Sequence, residues 1–233
     1  MTEVIRCNGL TRTYQDDGVP VHALAGVDFR VEAGEFVSLA GPSGSGKSTL
    51  LNCIGGLDRP STGEVYVDGV SLGALSQSAL ADLRLIKVGF VFQSYNLIPV
   101  LSALENVEFI MQLQGVAAAE RKERAHAMLD SLAIGEMWDR RPGELSGGQQ
   151  QRVAIARAIV SKPVLLLADE PSANLDSKTT ADLMELLLRI NREQSMTIIT
   201  ATHDPAVMAY ASRQVHLVDG MIESDQCADN AAS

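Results

Sequence analysis

The sequence predicts an α/β fold, a central buried sheet covered by helices on both faces. Three observations carry that prediction. Apolar runs recur at 36–40, 88–92, 164–168, 196–201 and 215–218. Strands buried on both sides read this way, because helices must cover each face. Helical spacing lies between them: Ala125, Met128, Leu129 and Leu132 keep the i, i+3, i+4, i+7 interval, as do Leu183, Leu186, Leu187 and Ile190. Both stripes are expected to face the core and to carry no chemistry. A third rhythm marks the beginning, where Val27, Phe29 and Val31 alternate onto one strand face.

Taken in chain order, the first third is sheet-like, and Val65-Tyr66-Val67 runs into the turn pair Asp68-Gly69. The run 36–40 ends in a glycine-rich loop, and 49–54 forms helix. The stretch from about 94 to 160 reads as helical. Asp219-Gly220 reads as a hairpin turn, and the small, polar residues 224–233 as a frayed tail.

A chain of 233 residues suits one large domain, or a core with a built-in subdomain. Hydrophobic residues at 46% and charged residues at 21% are an ordinary globular balance. No run approaches the roughly 18 apolar residues of a membrane span. The first residues lack a basic region followed by an apolar one, so the chain is expected to stay in the cytosol. Cys7, Cys53 and Cys227 are scattered, without CxxC spacing, and read as reduced thiols rather than metal ligands. A formal net charge of -10 disfavours a nucleic-acid partner.

The chemistry starts at Gly41-Pro42-Ser43-Gly44-Ser45-Gly46-Lys47-Ser48-Thr49, which matches the P-loop pattern between a strand and a helix. Its glycines let backbone N–H groups turn inward and cradle phosphates at the positive end of a helix. Lys47 is placed to reach the β- and γ-phosphates of a nucleotide, and the Ser48 hydroxyl to hold Mg²⁺. A second run, 164–168, ends in Asp169-Glu170. Asp169 suits the metal, and Glu170 suits a general base polarising the attacking water. A third motif, Leu145-Ser146-Gly147-Gly148-Gln149, precedes a long helix-forming stretch and makes a second helix start suited to a phosphate.

The order of these motifs resembles the ABC ATPase family, and the resemblance runs over essentially the whole chain. It implies a P-loop NTPase (RecA-like) core with an antiparallel β subdomain and an inserted α-helical subdomain. Residues 1–93 and 161–223 would form the nucleotide-binding core with its β subdomain, 94–160 the helical signature subdomain, and 224–233 a flexible tail. In that family two subunits face head to tail, each ATP lying between one P-loop and the other subunit's LSGGQ. The partner it implies is therefore a second copy of this chain, or a paralogue of it. By the same resemblance Tyr14 stacks on the adenine, Gln93 contacts Mg²⁺ and the water, Asn174-Leu175-Asp176 is the D-loop, and His203 is the switch histidine contacting the γ-phosphate. Ser172-Ala173-Asn174-Leu175-Asp176 departs from the more usual Ser-Ala-Leu-Asp and is closer to the Thr-Gly-Asn-Leu-Asp form.

Within the family, Gly55-Gly56-Leu57-Asp58, the run from Val88 through Gln93 to Leu97, Leu104-Glu105-Asn106-Val107 and Arg141-Pro142-Gly143-Glu144 look like the LolD/MacB group. That group implies an integral membrane permease with a large extracytoplasmic domain. It also implies a place on the cytoplasmic face of the bacterial inner membrane and work in export or extraction. The same motifs are shared with bacitracin-type peptide-resistance transporters and with FtsE. The latter leaves open a regulatory, non-transporting ATPase that acts on envelope hydrolases. A DNA-repair or translation ATPase is a third reading, opposed by the net charge and by the absence of coiled-coil insertions or a second cassette. The apolar stretch 97–101 offers a surface for the permease, or else packs within the helical subdomain.

Overall fold

The structure is a computed structural model that describes residues 2–16 and 19–227. The described residues form two sheets and seven α-helices. A four-stranded antiparallel sheet holds β1 (Glu3–Asp16), β2 (Val19–Glu32), β4 (Thr62–Val67) and β5 (Val70–Ser71), in the order β2-β1-β4-β5. The six-stranded sheet runs β10-β9-β3-β8-β7-β6 and comprises β3 (Phe36–Ala40), β6 (Val88–Val91), β7 (Leu165–Asp169), β8 (Thr197–Ala201), β9 (Arg213–Val218) and β10 (Met221–Cys227). Its strands pair in parallel except at β10, which returns antiparallel along β9.

The runs of β3, β7 and β8 are buried on both faces, as expected, while those of β6 and β9 leave some side chains half-buried; the faces divide by the strand period of two. Phe36, Leu166, Ala168 and Ile198 point into a core shared with α3 (Ala103–Leu113), α4 (Ala118–Ser131), α5 (Gly147–Ile159) and α6 (Ser177–Gln194). Val37, Leu39, Leu165, Leu167 and Ile199 point the other way, onto α1 (Lys47–Ile54) and the antiparallel sheet. Leu50, Leu51 and Ile54 are thus clamped between two sheets, which anchors the helix that opens at the glycine-rich loop. Truncating a fully buried leucine such as Leu50 costs about 2–5 kcal/mol.

The two helical stripes face the first core: Ala125, Leu129 and Leu132 are buried with Met128 packed against them, and Leu183, Leu186, Leu187 and Ile190 are all buried. Asp68-Gly69 and Asp219-Gly220 form their turns with both residues at positive φ, the I′ hairpin geometry.

Three expectations need correction. A helix, α2 (Gln77–Lys87), stands where none was expected, capped by the Ser76 hydroxyl and buried through Leu80 and Leu83. The span 94–160 is not continuously helical; loops and short 3₁₀ turns separate α3, α4 and α5. Ser224 to Cys227 are strand, not tail. The β9 backbone templates them, and Arg213 grips the Asp225 carboxylate with two bonds of 2.7 Å. The rest of the expected tail, 228–233, lies outside the described residues.

Among the described residues no helix is long and apolar enough to cross a membrane.

Candidate active site

The glycine-rich loop leaves β3 and enters α1 through Gly46 at φ 103, a region closed to most side chains. A Cβ on Gly46 would collide with the Ala23 carbonyl, and one on Gly41 (φ 140) with that of Leu217. Both glycines are therefore dictated by close backbone approach. No side chain caps α1, so its first-turn N–H groups have no capping partner. Lys47 folds back along its own loop, its ammonium donating to the Gly41 and Pro42 carbonyls at 2.8 and 2.9 Å.

Next to it the Ser48 hydroxyl donates to Asp169 Oδ1 at 2.9 Å. Asp169 ends β7. Burial pushes its carboxyl above the ordinary carboxylate range; the Ser48 bond opposes this, the Glu170 charge adds to it and Lys47 opposes it. Glu170 sits in left-handed backbone (φ 47), its N–H bonded to the Ala201 carbonyl at 2.9 Å. Its Oε1 lies 2.8 Å from His203 Nδ1, and His203 is exposed just past β8.

These elements enclose a cavity of about 700 Å³ walled by residues 42–49, Ala23, Gln93, Glu170, Ala173 and His203. It gathers residues from four sequence motifs into one space. Seven expected site residues are not in that wall: Gly41, Asp169 and Tyr14, and the four of the signature string. Gly41 lies behind it as an acceptor for Lys47, and Asp169 is reached through Ser48. Tyr14 projects from β1, its hydroxyl donating to Asp58 Oδ2 at 2.6 Å and its ring 4.4 Å beneath the Arg12 guanidinium.

Ser146, Gly147, Gly148 and Gln149 lie elsewhere. They line a separate cavity of about 330 Å³ with Asn174, Leu175, Asp176 and Thr179, and the two cavities share no residue. Here the helix start is capped: Ser146 Oγ accepts from the Gln149 N–H, and Gln149 Oε1 accepts from the Ser146 N–H.

Several links between these regions were not anticipated. Asn174 Nδ2 donates to the Gln93 carbonyl at 3.0 Å, a contact the usual Ser-Ala-Leu-Asp could not make. Tyr95 and Asn96 both adopt left-handed backbone, and Arg157 of α5 donates to their carbonyls at 2.9 and 2.6 Å. Burial lowers that guanidinium's pKa. Gln151 of α5 donates to the Pro171 carbonyl at 2.6 Å. The only sequence signal was the polar run Gln149-Gln150-Gln151-Arg152 ahead of an apolar helix.

Beyond Gln93 lies an apolar groove of about 620 Å³, lined in part by Leu85, Phe90, Phe92, Ile98, Phe109 and Leu113, with Arg157 in its wall. Of the stretch 97–101, Ile98 lines this groove, Leu97 packs against the inner core, and Val100 stands 72% exposed outside the lining. The buried Asn106 carboxamide pins the stretch by accepting from the Ile98 N–H and donating to the carbonyls of Ile98, Leu101 and Ser102.

A family model, described as ABC transporter, matches residues 24–173. This chain belongs to the ABC transporter family. It is an ATP-binding ABC ATPase, and its relatives agree. The ABC transporter ATP-binding protein MJ0796 of Methanocaldococcus jannaschii is 44% identical over 96% of this chain and 97% of that protein. One from Thermotoga maritima is 47% identical, over 96% of this chain and 95% of that one. The macrolide export ATP-binding/permease protein MacB of Syntrophobacter fumaroxidans is 44% identical over 97% of this chain, which spans only 32% of MacB. Among solved structures, a dimeric post-hydrolysis state of the MJ0796 cassette bound to ADP and Pi superposes with a TM-score of 0.90 at 43% identity. That match covers 96% of this chain and 98% of the other.

Proposed function

We propose that this ABC ATPase works as a head-to-tail pair of copies that drives an export or extraction permease of the bacterial inner membrane from its cytoplasmic face. One observation carries the reading. The chain has two glycine-led helix starts suited to phosphate, in two cavities with no residue in common. Only a second copy can bring the signature end of one chain to the ATP of the other. The dimeric structures of MJ0796 support pairing of two copies, and likeness to MacB supports export.

In each composite site, residues 41–49 cradle the phosphates, with Lys47 exchanging its bonds to loop carbonyls for β- and γ-oxygens. Tyr14 would turn from Asp58 to stack on adenine, and Ser146, Gly147, Gly148 and Gln149 of the other copy would cover the γ-phosphate. The Ser48 hydroxyl and Asp169 carboxylate, 2.9 Å apart, are hard oxygens suited to Mg²⁺. Ser48, Asp169 and Gln93 would hold the cation, which when bound neutralises charge on the phosphates.

Glu170 takes the proton of the attacking water, and His203 holds that carboxylate through its Nδ1 until the γ-phosphate competes for the ring. The apolar groove beside Gln93 receives the permease.

Glu170→Gln tests the dimer. With ATP present it should bind nucleotide, lose turnover, and sediment as two copies; adding Ser146→Arg should return it to one. Wild-type turnover in Glu170→Gln, or one copy at saturating ATP, would overturn the reading. For the partner, the chain is purified from detergent-solubilised native membranes and co-eluting proteins are identified by mass spectrometry. A permease with a large extracytoplasmic domain is expected. Recovery of a partner that activates envelope hydrolases would favour the FtsE-like alternative instead.

A further inference from the structure

Gln151 stands on the signature helix α5 with no exposed surface at all. Its amide nitrogen donates to the Pro171 carbonyl at 2.6 Å, and that acceptor dictates which end of the amide faces the loop. The other end, Oε1, has no hydrogen-bond partner among the described residues. A buried amide with half its bonding capacity unused destabilises a fold, and an apolar side chain of similar volume would avoid that penalty. That penalty offsets what the bond to the buried Pro171 carbonyl contributes, so stability alone does not account for Gln151, and what it holds suggests the reason.

Pro171 follows Glu170, whose backbone lies in a region uncommon for any residue but glycine. Glu170 is gripped from one side by the Ala201 carbonyl, which accepts its N–H at 2.9 Å. On the other side a proline offers no N–H, so its carbonyl is the one backbone group by which residue 171 can be held. Gln151 takes it. The strained peptide carrying the carboxylate is thus fixed between β8 and α5.

We infer that Gln151 is a positioning residue for Glu170: its amide aims the carboxylate at the attacking water and ties that aim to the position of the signature helix. This rests on the proposed role of Glu170 as general base. It adds a route between the two composite sites, separate from the D-loop. A displacement of α5, when Ser146 to Gln149 engage the second copy's ATP, moves Gln151 on the same rigid helix. That motion reaches Glu170 of the chain's own site.

The test compares Gln151→Met, Gln151→Glu and Glu170→Gln in the full chain. Gln151→Met keeps length and volume but cannot donate. Its kcat should fall about tenfold or more, as expected for a misaimed general base. KM for ATP should stay within about twofold of wild type, uniform binding being untouched, and the melting temperature should stay within a few degrees, because the carbonyl left without its donor is offset by loss of the unpaired Oε1.

Gln151→Glu supplies the rescue. A buried carboxyl is readily protonated, and its O–H can donate to the same carbonyl, so activity relative to wild type should recover as pH falls. Wild-type kcat in Gln151→Met beside an inactive Glu170→Gln would overturn the assignment. So would a joint fall of kcat, ATP affinity and melting temperature, which would make Gln151 structural only. Full turnover by Glu170→Gln would remove the base itself, a failure distinct from that of Gln151.

Discussion

Two helices of this chain start at glycine-rich loops, and they start differently. Helix α1 is entered from Gly46 in left-handed backbone, with no side-chain cap. Helix α5 is entered from Ser146 in extended backbone, with a reciprocal capping box. An uncapped helix start leaves orphan donors that need a partner, and phosphate is a suitable one. The boxed start has settled two of its donors within the chain and stands without a ligand. The difference separates their roles. In the proposed arrangement one end captures ATP alone, and the other meets ATP that a second copy already holds.

Nucleotide affinity offers the largest contrast. Lys47→Ala removes an ammonium now held by two carbonyls of the same loop, and charge-assisted bonds are worth about 1.5–3 kcal/mol each. The isolated chain should lose about a hundredfold or more in ATP affinity. Ser146→Ala should change that affinity less than about twofold, since in the proposed arrangement the signature end plays no part before pairing. Isothermal titration of both variants decides the matter, and equal losses would break the comparison.

Stability sharpens it next. At Gly46, alanine meets both a forbidden φ and the Ala23 carbonyl, so Gly46→Ala should lose about 1–3 kcal/mol or more of unfolding free energy. At Gly147 a new Cβ would lie 2.9 Å from the Tyr95 hydroxyl, the movable end of a side chain. Helix propensity at this first helical position favours alanine by less than the roughly 1 kcal/mol of a helix interior, enough to offset a contact that a flexible side chain can relieve. Urea denaturation should find Gly147→Ala near wild type. Ser146→Ala falls between the two, losing about 1 kcal/mol with the cap.

The sequence revealed the parts of this comparison that are local. Gly41 to Thr49, Asp169-Glu170 and Leu145 to Gln149 are contiguous strings, each read against the element it begins or ends. The ladder of apolar runs likewise exposed the central sheet, because strands buried on both faces have no polar side to hide them.

What escaped depends on distant partners. Helix α2 shows only Leu80 and Leu83 to the core, too weak a stripe to outvote the sheet-like first third. Ser224 to Cys227 have no apolar alternation and are strand because β9 and Arg213 hold them there. Tyr14 to Asp58 and Gln151 to Pro171 are bonds across 44 and 20 residues, invisible to spacing. The left-handed pair Tyr95 and Asn96 lacks the glycine that normally announces such backbone, because Arg157 binds both carbonyls.

The smallest effect concerns the carboxylate that α1 faces and α5 does not. Asp169 is held above the ordinary carboxylate range, first by burial and against the pull of Ser48. Between its unfolded value and that raised folded value, the native state retains a proton the unfolded chain has released. Stability from this group therefore falls as pH rises through the window. Above that raised folded value the metal-free protein carries the full penalty of a partly buried charge; in acid, below the unfolded value, the penalty is gone.

Asp169→Asn keeps a hydrogen-bonding oxygen for Ser48 but has no charge to bury. In a chelator it should melt a few degrees above wild type at neutral pH, with the gap closing as the solution is acidified. Turnover with Mg²⁺ should be almost abolished. A gap independent of pH would assign the gain to packing instead. A gap that closes would mean that the uncapped end of α1 and the carboxylate beside it hold stability in reserve, released when nucleotide and cation arrive together.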